Sequence, residues 1–269
     1  MPASEREEVL QRSSPTGAIV YHAVKKEGED ELDRSTSSLG WSGLAAGLSM
    51  GFSFVAEALL RSSLPDAPWR PLLSKFGYSV GFLIVVLGRQ QLFTENTLTV
   101  ILPLLRRRDS VTLRNVLRLW AVVLSANLVG TAIFAFVAAR TTAFEPSVRD
   151  AFFALGREAM AASVPTTLLR GIYAGWLIAL MVWLLPFAES ARVAVIIIIT
   201  YLVGLGSLSH VIAGSVETLY LVAAGDQSLL QYIGGYLVPS LVGNVIGGVS
   251  LVAAIAHAQY VAGPKTSDA

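Results

Sequence analysis

The chain has 269 residues, 54% of them hydrophobic and 14% charged, with a mean hydropathy of +0.60. Soluble domains carry about 25% charged residues, so a water-soluble surface of this size is excluded. The net charge of +1, with no basic stripe away from the apolar blocks, excludes a nucleic-acid partner, and the absence of cysteine excludes disulfides, thiol catalysis and Cys-ligated metals.

Residues 1–37 are polar and mixed in charge, with no apolar core of a signal peptide. They are expected to form a tail, in which Ser4 and Glu7 could make a capping box ahead of a short helix. The first crossing runs from about Leu39 to Leu60, and Gly40, Gly43, Gly47 and Gly51 recur along one face, where a neighbouring backbone can approach closely. A second apolar block, Leu72 to Leu105, is too long for one upright crossing of ~30 Å and too polar in its middle. It reads as a helical half over Gly77–Leu87, an unwound stretch over Gly88–Thr97 and a second half-helix over Leu98–Leu105, stopped by Arg106, Arg107 and Arg108.

The third crossing is expected from about Val116 to Ala138, followed by an amphipathic interfacial helix over 150–162. The fourth is Leu168 to Leu185, closed by Pro186. The fifth block, Val193 to Ala223, is interrupted over Gly204–His210. The sixth runs from Ile233 to Ala256, and residues 258–269 are a second short tail. The expected architecture is an all-α membrane protein with six transmembrane segments, the second and fifth broken, and a transmembrane domain over 38–257. Twelve of the 20 Lys and Arg residues flank the side that holds the N-terminus, seven flank the other, and Arg89 lies within the second block. That bias predicts that both termini are cytoplasmic.

Asn127-Leu128-Val129-Gly130 in the third segment matches Asn244-Val245-Ile246-Gly247 in the sixth. With three segments per half, the halves are inverted, and breaks at corresponding positions point to a substrate path between them. Unwound backbone inside hydrocarbon is tolerated only where it is buried in protein or lines a cavity. The polar groups at the breaks are therefore candidates: Thr94, Glu95, Asn96 and Thr97 on one, Ser207, Ser209 and His210 on the other. An ionisable group at mid-membrane is a functional hypothesis by default, and only His titrates near neutrality unperturbed, so His210 leads. A guanidinium near the membrane needs a partner, and Glu95 is the acid nearest to Arg89 in sequence. Arg140, Arg149, Arg157 and Arg170 are expected at the outer mouth, where they would raise local anion concentration. No metal site, nucleophile–base pair or nucleotide loop is visible, so neither a cofactor nor an enzyme is expected.

In order along the chain, Gly43-Leu44-Ala45-Ala46-Gly47, Val80–Leu87 leading to Leu92-Phe93-Thr94, Asn127–Gly130, Arg170-Gly171-Ile172 with Trp176-Leu177, His210 after a Gly/Ser-rich break, and Pro239 with Gly243–Gly248 resemble the formate/nitrite transporter family. The resemblance covers about Gly40 to Ala256. It implies an aquaporin-like inverted repeat in a bacterial inner membrane, assembled as a homopentamer in the lipid bilayer, with a pore in each subunit for small monovalent weak-acid anions. It implies that His210 is the central histidine, that Thr94 contacts it, and that Leu92 lines the inner constriction. Phe82 and Phe93 are further candidates for the substrate path, Tyr78 and Val203 occupy positions where aromatic residues often close the family's outer constriction, and Arg89, Glu95, Asn127 and Asn244 are candidates for structural or ion-pair roles.

Several positions depart from the family pattern: Arg89 and Gln91 before Leu-Phe-Thr, Ser209 before the histidine, Gly214 four residues after it, and Gly175 in the fourth segment. The departures resemble a divergent subgroup of unassigned substrate. A channel for neutral solutes, or a membrane partner or sensor that does not transport, stays open at this point.

Overall fold

The computed structural model describes Glu5 and residues 16–262. The capping box expected at Ser4 and Glu7 lies outside the described residues. The described chain is helical: α1 (Gly17–Leu32), α2 (Thr36–Ser63), α3 (Arg70–Leu87), α4 (Phe93–Thr99), α5 (Ile101–Arg107), α6 (Ser110–Arg140), α7 (Pro146–Met160), α8 (Val164–Leu184), α9 (Arg192–Leu205), α10 (Ala213–Ala224) and α11 (Leu229–Ala262). Five stretches are long and apolar enough to cross ~30 Å of hydrocarbon: α2, α3, α6, Val164–Phe187 and α11. The last begins before Ile233 and continues past residue 258, so part of the expected C-terminal tail is helix. It widens to π-type bonding over Tyr232–Leu237 and again over Ile246–Ala253.

Polarity is arranged inside out. Phe52, Ile133, Phe136 and Ile198 are exposed, while Glu57, Thr94, Asn127, His210 and Asn244 are buried. Such a molecule meets an apolar solvent and keeps its polar groups for its own interior. The glycine stripe of α2 allows a close contact with α6: a Cβ on Gly47 would stand 2.2 Å from the Asn127 carbonyl oxygen. The contact of α8 with α11 is alike, since a Cβ on Gly175 would stand 2.3 Å from the Asn244 carbonyl oxygen.

Two segments differ from expectation. Residues 17–32, assigned to the tail by their charge, form α1, which docks through Tyr21, Val24, Gly28 and Leu32. Their spacing of three and four residues puts them on one face. The Tyr21 hydroxyl meets His257 Nδ1 at 2.8 Å and its ring stacks on Tyr260, clasping α1 to the end of α11. The non-helical stretch of the second block is shorter than Gly88–Thr97, because helix resumes at Phe93. The interfacial helix begins at Pro146 and buries Val148, Phe152 and Leu155, with Phe152 stacked on Phe54 of α2.

Candidate functional site

The two non-helical stretches, 88–92 after α3 and 206–212 after α9, leave their helices by the same route. The Gly88 and Gly206 N–H groups donate to the Ile84 and Leu202 carbonyls, each at 2.9 Å. Arg89 and Ser207 then take positive φ, 50° and 49°, a conformation uncommon outside glycine. The Gln90 N–H reaches back to Val85 O at 2.9 Å and the Leu208 N–H to Val203 O at 3.0 Å.

A buried asparagine then holds each loop. Asn127 Nδ2 donates to Gly43 O (2.7 Å) and Gln91 O (2.9 Å), and its Oδ1 accepts from the Phe93 N–H (2.9 Å). Asn244 Nδ2 donates to Gly171 O and Ser209 O, each at 2.8 Å, and its Oδ1 accepts from the Val211 N–H (2.8 Å). Two of the three contacts of each amide satisfy backbone groups of its loop that hydrocarbon could not, and the third ties the asparagine to a neighbouring helix. The matched bonds align Gln91 with Ser209, Leu92 with His210 and Phe93 with Val211.

The loops meet at one contact. Thr94 Oγ1 and His210 Nε2 are 2.8 Å apart and both residues are fully buried. His210 Nδ1 accepts from the Ala213 N–H at 3.1 Å, at the start of α10. An imidazole nitrogen that accepts carries no hydrogen, so the neutral ring holds its proton on Nε2 and donates it to Thr94 Oγ1. Phe82 packs edge-on against the ring at 5.0 Å, and Tyr78 follows Phe82 at 5.5 Å. Leu92 and Val203 are fully buried, and Phe93 nearly so. The Tyr236 hydroxyl of α11 donates to His210 O at 3.2 Å. A Cβ on Gly214 would meet that hydroxyl at 1.7 Å, so Tyr236 occupies the room a side chain at 214 would need.

Two cavities approach this centre from opposite ends of α2. The one beside α1 has a volume of about 490 Å³ and is lined by Glu27, Glu31, Arg89, Gln91 and Glu95 among others. The other, about 50 Å³, is bounded by Tyr78, Val203, Ser209 and Tyr236 and carries Lys75, Arg170 and Glu217. Neither is lined by Thr94 or His210.

The expected Arg89–Glu95 pair is not formed. The Arg89 side chain is 71% exposed and meets Glu27 at 3.4 Å, while Glu95 Oε1 is buried without a hydrogen-bond partner. The positive φ at Arg89 turns its side chain out of the loop, where α1 supplies the acid. Glu31 reaches the loop instead: it accepts from Gln91 Nε2 at 3.0 Å and from the Thr99 hydroxyl. Burial pushes its carboxyl up to about 7, against the lowering effect of the hydroxyl and amide donors. In the other vestibule Lys75 is paired with fully buried Glu57. Of the arginines expected at that mouth, Arg170 lines the vestibule, whereas Arg157 is paired with Asp226 at 2.5 Å and holds that carboxyl below its usual range. Glu31, Lys75 and Tyr236 were not identifiable as site residues: two sit in charged flanks and one in an unbroken apolar span.

The sequence profile described as formate/nitrite transporter matches residues 18–258. Over 246 residues the chain is 41% identical to the inner membrane protein YfdC of Escherichia coli, spanning 91% of this chain and 79% of that protein. It is 25% identical to the formate channel BtFdhC of Bacillus thuringiensis, over 87% of this chain and 91% of that one. Among solved structures, a pentameric formate channel with formate bound superposes with a TM-score of 0.69 at 20% identity, covering 88% of this chain and 99% of that one. An FNT family ion channel superposes at 0.72 and 19%, covering 91% and 99%. At such identities the structural likeness establishes a common fold.

Proposed function

Because the chain belongs to the formate/nitrite transporter family, we propose that it is a permease for small monovalent weak-acid anions of the formate or nitrite type, which pass Thr94 and His210 within each subunit. The observation that carries this reading is the 2.8 Å contact between those two side chains, enclosed between two vestibules. In this reading α9 and α10 together make the fifth of six crossings, and the two Asn-held loops are the mid-membrane breaks of an inverted three-plus-three repeat. The transporter domain spans 38–257. The α1 side faces the cytoplasm of a bacterial inner membrane, and the protein works as a homopentamer.

The chemistry follows from what a bare anion costs. An unpaired charge in an apolar constriction is penalised by many kcal/mol, and Phe82, Leu92, Phe93, Tyr78 and Val203 supply that constriction. His210 Nε2–H and the Thr94 hydroxyl are the donors within reach of a passing anion, and the amino end of α10 adds a favourable partial charge. Ser209 contributes its carbonyl to the Asn244 anchor rather than its side chain to the path. The carboxyls that line both vestibules favour a neutral acid over a bare anion as the species that crosses. His210 shares its Nε2 proton as a hydrogen bond. It releases a proton outright only when a second one reaches Nδ1, which the Ala213 N–H already occupies.

Replacing His210 with Phe is expected to abolish pH-dependent formate uptake into proteoliposomes. Unchanged uptake would remove His210 from the mechanism. A channel for neutral solutes would show flux indifferent to both pH and membrane potential.

A further inference from the structure

The two vestibules hold carboxyls that anion attraction does not explain. Like charge repels an anion, and burying a carboxylate is costly without partners. Their placement follows the repeat. The backbone bonds align Leu92 with His210, and the same residue offset carried forward sets Thr99 against Glu217. Thr99 donates its hydroxyl to Glu31, and Glu217 itself lines the opposite vestibule. Each side of the central contact therefore has one carboxyl at an aligned position, the first delivered by α1 to Thr99 and the second carried by α10 itself. His210 cannot exchange protons freely, because its Nδ1 is taken by a backbone N–H.

Resting on the permease reading above, we propose that Glu31 and Glu217 are the two proton stations of the transport cycle, one on each side of the Thr94–His210 contact. Protonated Glu217 gives its proton to an entering carboxylate: the carboxyl O–H bond breaks, an O–H bond forms on the substrate, and Glu217 is left ionised. The neutral acid crosses the apolar centre. On the α1 side its O–H bond breaks, the proton passes to the Glu31 carboxylate, and the anion leaves. Each station then re-equilibrates with water on its own side, so one proton and one anion cross together. The cycle runs in either direction.

The surroundings suit the two roles. Glu31 is partly buried, holds two hydrogen-bond donors, and faces Glu27, Glu95 and Arg89. Lys26, Asp30, Arg34 and Arg192 complete the charged lining of that vestibule. Glu217 faces Tyr78, Glu158, Arg170, Tyr236 and Lys75 across the smaller cavity. Lys75 is already committed to Glu57, and Arg61 to Glu158. Among the described residues Glu217 makes no salt bridge and no side-chain hydrogen bond, so its carboxyl is not committed to a neighbour. Burial places Glu31 close to neutrality, where it titrates under working conditions.

The test is uptake of radiolabelled formate by the full chain in liposomes of one orientation, with pH varied on one side at a time. Wild-type protein is expected to respond to pH on both sides. Glu31→Gln should lose the response on the α1 side and keep the other, and Glu217→Gln should do the reverse. Each is expected to lower uptake roughly tenfold or more at the most sensitive pH. The Glu→Asp variants should restore the response. Thr99→Val keeps the Glu31 carboxyl and removes a donor to its ionised form, so the α1-side midpoint should move to higher pH with uptake retained. Formate uptake with wild-type pH responses on both sides in the two Gln variants would overturn this inference alone, as would an unmoved midpoint in Thr99→Val. No formate uptake by wild-type protein would overturn the permease reading and this inference with it.

Discussion

The loop at 88–92 and the loop at 206–210 share a backbone and differ in chemistry. Both take a positive φ at the second residue, both return an N–H to the helix they left, and both hang by two bonds from an asparagine that a third bond ties to a neighbouring helix. At the residue between the two loop bonds one loop carries Leu92 and the other His210. A symmetric frame is thus used to hold an asymmetric pair, in which an apolar wall on one side faces an imidazole on the other. Thr94, the second residue of α4, reaches across to that imidazole.

The largest effect should come from breaking the frame. Asn127→Ala strands two buried loop groups, Gln91 O and Phe93 N–H, and Asn244→Ala strands Ser209 O and Val211 N–H, at about 2 kcal/mol or more at each loop. Thermal unfolding in detergent should show losses of similar size. A large loss in one half only would mean that the halves are not energetically equivalent. Next are the close approaches that bring the asparagines into place. Gly47→Ala and Gly175→Ala push a methyl against a backbone carbonyl, and each should cost about 1–3 kcal/mol in the same assay.

Thr94→Val tests the asymmetry rather than the frame. It removes the acceptor of His210 Nε2–H and should cost about 1–2 kcal/mol of stability, whereas Ile212→Val at the aligned position of the second half should cost less. Equal losses would show that the Thr94–His210 contact adds nothing beyond packing.

The smallest effect concerns the one part without a counterpart, α1. Burial lifts Glu31 from an ordinary value of 4.5 to about 7, so between those values the docked helix binds a proton that the released helix does not. Docking is therefore firmest below about 4.5 and weakens as pH rises through about 7. Protection factors at residues 17–32, with the intrinsic base-catalysed exchange divided out at each pH, should fall over that window, and Glu31→Gln should flatten the change.

Much of this was legible in the chain because hydrocarbon is a demanding solvent. Long apolar blocks read as helices fit for hydrocarbon, a polar interruption within one has to be sheltered, and the two Asn-x-x-Gly runs mark the asparagines that hold the two loops. Thr94 and His210 were visible for the same reason. What escaped depends on partners far away in sequence. The apolar stripe of α1 is four residues within a charged stretch, so composition hid it. Glu95 is near Arg89 in sequence, yet the left-handed turn at Arg89 sends the side chain to Glu27. Tyr236 looks like any aromatic residue in a span until its hydroxyl is found on His210 O.

That hydroxyl fills the space that Gly214 leaves empty. Positions 214 and 236 therefore draw on a single volume from two different helices, and neither can be rewritten alone. An asparagine introduced at 214 collides with the phenol, and a small residue at 236 opens a hole beside the histidine. Only the exchange of both together keeps the room occupied, so descendants of this chain must change the two sites in step or leave both as they are.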